Sequence, residues 1–279
     1  MGRPRTTPRR SAWAAAAVAA TMVTGTALIG ASAPAVAASV PRVATAASAA
    51  DATPEHIVLT PTQHPDTSQS FTWRTGADVL GGQVHIREVG ADEWTVVDAR
   101  DNASLTSAGV PTRSHSATVD DLTAHTEYEY FVSTGGVDSD TYRFTTASAP
   151  GEDFSFIYFG DAQNNLTERW APVVEQAFDR YPDAVGTVDA GDLVNTGGND
   201  SEWTEWFGAM DGYSQTRNVI AAPGNHEYSG DEFLRNWKST FEYPANGPQA
   251  DTTDGMSEGD KQKAAYEAQM QIALAETAY

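Results

Sequence analysis

The chain has 279 residues, with 38 acidic side chains against 17 basic ones and a formal charge of -21. So acidic a surface repels nucleic acid and anionic membrane, and its plain consequence is solubility. Cysteine is absent, which excludes a disulfide framework, a thiolate nucleophile and any Cys-based zinc site.

Met1 to Arg10 is basic, Ala12 to Ile29 is small and apolar, and Ala35-Val36-Ala37 supplies the small-x-small pattern after which a signal peptidase cuts. Residues 1–37 therefore read as a cleaved signal peptide, which makes the mature protein secreted. An uncleaved anchor fits less well, because the stretch is rich in Ala and Thr and no other segment could span a bilayer. Arg9-Arg10 leaves the twin-arginine route open. The leader holds four arginines and no acid, so the remainder carries 13 basic and 38 acidic residues. Residues 38–53, mostly Ala, Ser, Val and Thr, read as a low-complexity spacer.

From 54 to 148 the hydrophobic period is two. Ile57 and Leu59, Phe71 and Trp73, Val84 and Ile86, Trp94 and Val96, Ala117 and Val119, Tyr128, Tyr130 and Val132, and Tyr142 and Phe144 alternate with polar residues. About seven short strands at this spacing predict an all-β sandwich with Trp73 in its core. Leu122 to Tyr128 has the pattern of a tyrosine corner. The segment resembles a fibronectin type III domain. Five of the six histidines fall here without shared ligand spacing, so this module reads as a packing or positioning domain.

Residues 149–279 change period. Phe154 to Phe159 is almost uniformly apolar, as a strand covered on both faces would be. Trp170, Val173, Val174, Ala177, Phe178 and Tyr181 follow at helical spacing. Val185 to Ala190 is a second strand. Trp203, Trp206, Phe207 and Met210 mark a helix capped by Asn199 or Asp200, and Val219 to Ala222 is a third strand. The strands run into Gly160-Asp161, Gly191-Asp192 and Gly224-Asn225-His226-Glu227, each a little over thirty positions from the last, as successive βαβ units require. Ligands collect beyond the carboxyl ends of such strands. Carboxylate and amide oxygens are hard donors suited to divalent or trivalent cations. One carboxylate can bridge two cations roughly 3.5–4 Å apart, a pair that activates water and clamps phosphate oxygens. A neighbouring His can protonate a departing alkoxide.

These three motifs resemble those that open the calcineurin-like metallophosphoesterases, and the sandwich in front resembles the purple acid phosphatase branch. The resemblance implies a metallophosphoesterase α/β layer, the first half of a β-sandwich flanked by helices, preceded by the all-β module. It implies two metal ions of the Fe, Zn or Mn class. Asp161 would bind the first, Asp192 would bridge both and Asn225 would bind the second, with His226 facing the phosphate ester as general acid. Where the purple enzymes place a metal-binding tyrosine, three residues after the bridging Asp, this chain has Asn195, so no tyrosinate-iron colour is expected. Gln163 stands where related branches place a His or Gly, and could bind metal or orient water.

The family's further histidines are missing: no His follows His226 in this sequence. Residues 231–241 and 261–279 read as further helices, after which the chain is expected to be C-terminally incomplete. The expected function is a secreted metal-dependent phosphoesterase of acid phosphatase type, of which these 279 residues are an inactive or impaired fragment. The alternative is a non-catalytic extracellular binding protein with a degenerate metal site. Calcium-binding loops are disfavoured by His226, because calcium takes oxygen ligands.

Overall fold

The structure, a computed structural model, describes residues 51–245. The expected signal peptide, most of the spacer and the helix expected over 261–279 lie outside the described residues. Among the described residues no helix is long and apolar enough to cross a membrane.

Ten strands form the first half: β1 (Glu55–Thr60), β2 (Gln69–Gly76), β3 (Gln83–Glu88), β4 (Thr95–Asp98), β5 (Arg100–Asp101), β6 (Leu105–Ser107), β7 (Val110–Val119), β8 (Glu127–Thr134), β9 (Val137–Asp138) and β10 (Tyr142–Thr145). One sheet runs β10-β8-β3-β4 with β9 on β8. The other contains β1-β2-β7 with β5 and β6 on β7. The period-two residues point between them, and Leu59, Phe71, Trp73, Val84, Tyr130 and Val132 are fully buried. The Thr123 amide donates to the Tyr128 hydroxyl at 2.9 Å, which closes the tyrosine corner.

The second half places β11 (Ile157–Phe159), α1 (Ala171–Arg180), β12 (Gly186–Asp189), α2 (Asp200–Ala209), β13 (Asn218–Ala221) and α3 (Arg235–Thr240). One π-helical turn, Leu166–Trp170, leads into α1. Asn199 caps α2 by accepting the Ser201 amide at 3.2 Å. Strands β11, β12 and β13 are parallel, with Tyr158, Val188 and Ile220 in register. Val174, Phe178, Trp203, Trp206 and Phe207 from the helices cover one face, over Ile157, Phe159, Val219 and Ala221.

The two halves share a sheet. Strand β13 pairs in parallel with β1 at Leu59 and Asn218, so β11-β12-β13-β1-β2-β7-β5 runs without a break. Side chains reinforce the seam: Gln69 Nε2 donates to Asn218 Oδ1 at 2.9 Å, Tyr130 OH to the Gln215 carbonyl at 2.8 Å and Ser214 Oγ to the Ile57 carbonyl at 2.9 Å. Each half thereby supplies the neighbour that the other's edge strand needs.

One expectation is corrected. The run from Phe154 to Phe159 is not covered on both faces. Only Ile157 to Phe159 form the strand, and Phe156 and Tyr158 are 50% and 66% exposed, beside Ile220 at 45%. The helices α1 and α2 pack on one face, and the described residues leave the other open.

Candidate metal centre

Because β11, β12 and β13 are parallel neighbours, their carboxyl ends lie side by side. The loops leaving them are tied to one another through the backbone. The amide of Ala190 donates to the Phe159 carbonyl at 2.9 Å, that of Asp161 to Gly191 at 3.3 Å, that of Gln163 to Asp192 at 3.0 Å and that of Ala222 to Asp189 at 2.9 Å. Asp161 and Asp192 both adopt the left-handed conformation, each with φ 53°. For a non-glycine residue this costs on the order of 1–2 kcal/mol and persists only where the surroundings impose it.

Asp192 is the hub. Its Oδ1 accepts the His226 amide at 3.0 Å, and its Oδ2 accepts Gln163 Nε2 at 3.4 Å. The chain at 224 passes so close that a Cβ there would overlap the Asp192 carboxylate, so the position accepts only glycine. Asn225 follows directly and is exposed, as is Asp161, whereas Asp192, Gln163 and His226 are half-buried. Gln163 Oε1 is buried without a hydrogen-bond partner among the described residues. It is an unused oxygen donor beside the Asp192 carboxylate.

His226 Nδ1 lies 2.7 Å from the Asn195 carbonyl oxygen. A carbonyl only accepts, so Nδ1 carries a proton and Nε2 is left free for other partners. At Asn195, then, the backbone carbonyl makes this contact, while its side chain donates to Thr196 Oγ1 at 3.4 Å.

Sequence reasoning gave no role to Glu227. This carboxylate is 1% exposed, and among the described residues it forms no ion pair. It accepts three backbone amides instead: Asp192 at 2.9 Å, Gly224 at 2.6 Å and Val194 at 3.2 Å. The signal available in the sequence was an acid closing the Gly224-Asn225-His226-Glu227 motif, in a segment that enters from a buried strand. Beneath the loops, burial pushes the Asp189 carboxyl up to about 6 despite a 2.7 Å hydrogen bond from Thr187 Oγ1. Burial also raises the Tyr243 hydroxyl, which bridges the β13 backbone at the Ala221 amide and the Val219 carbonyl.

The structure thus brings Asp161, Gln163, Asp192, Asn195, Asn225 and His226 onto one cluster of adjoining loops. Among the described residues no three His, Asp or Glu side chains gather to hold a metal ion. What is gathered is two carboxylates, three amides and one imidazole. That donor set, with one amide oxygen unclaimed, fits a hard cation.

Residues 54–146 match the family model described as the purple acid phosphatase N-terminal domain, and residues 154–261 match the calcineurin-like phosphoesterase model. The sequence matches no curated protein. Among solved structures, purple acid phosphatase PPD1 from yellow lupin (Lupinus luteus) seeds is 20% identical with a TM-score of 0.59, covering 70% of this chain and 42% of that one. A structure of PhoD is 13% identical with a TM-score of 0.46, covering 66% and 41%. The chain therefore spans less than half the length of these solved structures. The likeness to PPD1 is a likeness of fold, a β-sandwich followed by an α/β layer with a mixed sheet. The chain therefore carries, in succession, a purple acid phosphatase N-terminal domain over residues 54–146 and a calcineurin-like phosphoesterase domain over residues 154–261.

Proposed function

We propose that these residues form the first part of the active site of a secreted, metal-dependent phosphoesterase of acid phosphatase type. The observation that carries this reading is the convergence of the Asp161, Asp192 and Asn225-His226 loops at three adjacent strand ends, with His226 fixed through Nδ1. Asp161, Asp192 and Asn225 would hold two cations of the Fe, Zn or Mn class, with Gln163 Oε1 as a further donor. Bound there, such ions supply positive charge against the phosphate and a water activated for attack.

His226 does the proton work. Protonated on both nitrogens, it keeps Nδ1–H on the Asn195 carbonyl and delivers the Nε2 proton to the departing alkoxide. Glu227 keeps the Asp192 and Gly224 loops at a fixed separation while this happens. A phosphate ester is the substrate class, and the acidic surface argues against nucleic acid as a partner. The 279 residues by themselves carry half of the ligand set that the family resemblance implies, so little or no turnover is proposed for them.

The test has two parts. Residues 38–279 should bind Mn²⁺ or Zn²⁺ near stoichiometrically, and Asp192→Ala should lower that affinity by at least tenfold. In a longer form of the chain that supplies the family's later histidines, phosphate release from a chromogenic monoester should be abolished by chelator and by the same substitution. Activity surviving both would overturn the assignment. No metal binding in either form would favour the non-catalytic extracellular binding protein instead.

A further inference from the structure

A second polar site lies away from the metal loops, where the sandwich meets the α/β layer. A cavity of ≈ 20 Å³ is walled by Thr72 and His56 on one side and by Trp203, Asn236, Ser239 and Thr240 on the other. Two polar atoms of its lining residues have no hydrogen-bond partner among the described residues: Thr72 Oγ1, on a residue 2% exposed, and His56 Nε2. Strands β1 and β2 pair Val58 with Thr72 and Glu55 with Arg74, with an irregularity between Glu55 and Val58, so His56 sits beside Thr72 across the ladder.

His56 is held there at a cost. Its backbone is left-handed, with φ 51°, a region that a residue with a Cβ avoids unless its surroundings fix it. The imidazole stacks on Phe207 of α2 at 4.3 Å with an interplanar angle of 18°. The neighbouring cation is already committed, because Arg74 pairs with Asp200 at 2.5 Å and Glu55 at 2.7 Å. The pocket therefore has no charge to offer an anion. A carboxylate or phosphate is also too large for it.

We infer that this pocket is a built hydration site, in which one water accepts from Thr72 Oγ1 and donates to His56 Nε2. The volume admits a single water, and buried polar atoms are rarely left unsatisfied. Burial, with a smaller contribution from the Arg74 charge, holds His56 well below its ordinary pKa, which keeps the ring neutral; the inferred water contact takes the tautomer in which Nε2 is the acceptor. The bound water joins β1 and β2 of the sandwich where they face α3. From α3, Asn236 Nδ2 reaches the Gly197 carbonyl at 2.9 Å, and the Gly197 amide donates to the His226 carbonyl at 3.0 Å. Asn236 thus links the pocket wall to the turn that carries His226 through two hydrogen bonds, although the hydration of the site does not depend on any catalytic role.

Water–protein NOE spectroscopy and long-range ¹H–¹⁵N spectra of the 279-residue chain test this. The wild type should show a long-lived water at the His56 ring protons. Thr72→Val, which has the same shape, should lose that cross-peak and shift the His56 Nε2 resonance. Thr72→Ser, which keeps the hydroxyl, should retain both signals. A wild type without the cross-peak, or a valine variant that keeps it, would overturn the inference. Should the valine variant fail to fold, the wild-type spectrum and the serine variant decide the question alone.

Discussion

Glu227 Oε2 accepts the backbone amide of Asp192 at 2.9 Å, across 35 positions of sequence. The same oxygen accepts Gly224, and the other accepts Val194. One buried carboxylate thereby satisfies three amides from two loops, and these are the loops that carry Asp192 and Asn225-His226. Hydrogen bonds to an ionised acceptor are roughly twice as strong as neutral ones, and these three fix the two loops against each other through the protein alone.

Glu227→Gln keeps the shape but turns an N–H toward at least one of those amides. A buried donor left facing a donor costs about 1–3 kcal/mol, which for a chain of this size corresponds to a Tm lower by roughly 2–12 °C. Metal affinity should fall about 10–100-fold, as when outer-shell partners of a metal site are removed. Calorimetry of unfolding and of Mn²⁺ binding reads both. A glutamine variant that matches the wild type on both counts would show that the three amides find other partners.

Much of this was legible in the sequence, for a physical reason. The period-two rows at Phe71 and Trp73 or Tyr128 and Tyr130, and the motif order Gly160-Asp161, Gly191-Asp192, Gly224-Asn225, are local patterns, and local patterns survive in one dimension. What was not legible depends on contacts between distant segments. The pairing of β1 with β13 joins positions 59 and 218 through backbone atoms, and backbone atoms leave no mark in composition. Glu227 closes the Gly224-Asn225-His226 motif without a role of its own until its three amide donors are known. The apolar run at Phe154 misled for a related reason, because apolar sequence reports what a face is able to bury rather than what covers it.

Glycine at 224 should be irreplaceable while glycine at 208 should not. A Cβ at 224 meets the Asp192 amide and carboxylate, whereas one at 208, within α2, meets nothing within 4 Å. Gly224→Ala should destabilise by about 1–3 kcal/mol through forced displacement of Asp192 and weaken metal binding. Gly208→Ala should stabilise by about 0.5–1 kcal/mol through helix propensity. Urea denaturation of the two variants side by side checks the contrast. Equal effects would mean that the Asp192 loop yields freely.

Asp189 makes a pH prediction with a definite sign. Its carboxyl is raised to about 6 in the folded chain by burial, against about 3.9 when unfolded. Between roughly pH 4 and 6 the folded state therefore binds more protons than the unfolded one, and stability falls as pH rises through that window. The whole loss, on the order of 1–3 kcal/mol, is present at neutral pH. Asp189→Asn should restore that stability at pH 7 and flatten the profile between about 4 and 6. His56 and His115, both lowered mainly by burial, act oppositely by destabilising the fold as pH drops below about 6.5, but they are common to both proteins and cancel in the difference. Unfolding curves in chelator from pH 4 to 8 give the comparison. Parallel profiles for wild type and variant would rule out Asp189 as the source.

The sandwich should also be energetically coupled to the turn beneath His226. Ser107, at the end of β6, donates through Oγ to the Gly198 carbonyl at 2.8 Å and accepts Asn236 Nδ2 at 3.2 Å, and that Nδ2 also reaches the Gly197 carbonyl. Ser107→Ala and Asn236→Ala each remove hydrogen bonds worth about 0.5–1.5 kcal/mol net. They share one contact, so the double variant should lose less than the sum of the singles, with a coupling of about 0.5–1 kcal/mol. The shared sheet adds a second expectation, that fluorescence from the sandwich Trp73 and the helical Trp203 and Trp206 reports one transition. Strict additivity, or two separated transitions, would mean that the sandwich and the α/β layer fold as independent neighbours and that the β1–β13 pairing contributes little. A single coupled transition would make the sandwich part of the scaffold that holds the Asn195 carbonyl against His226.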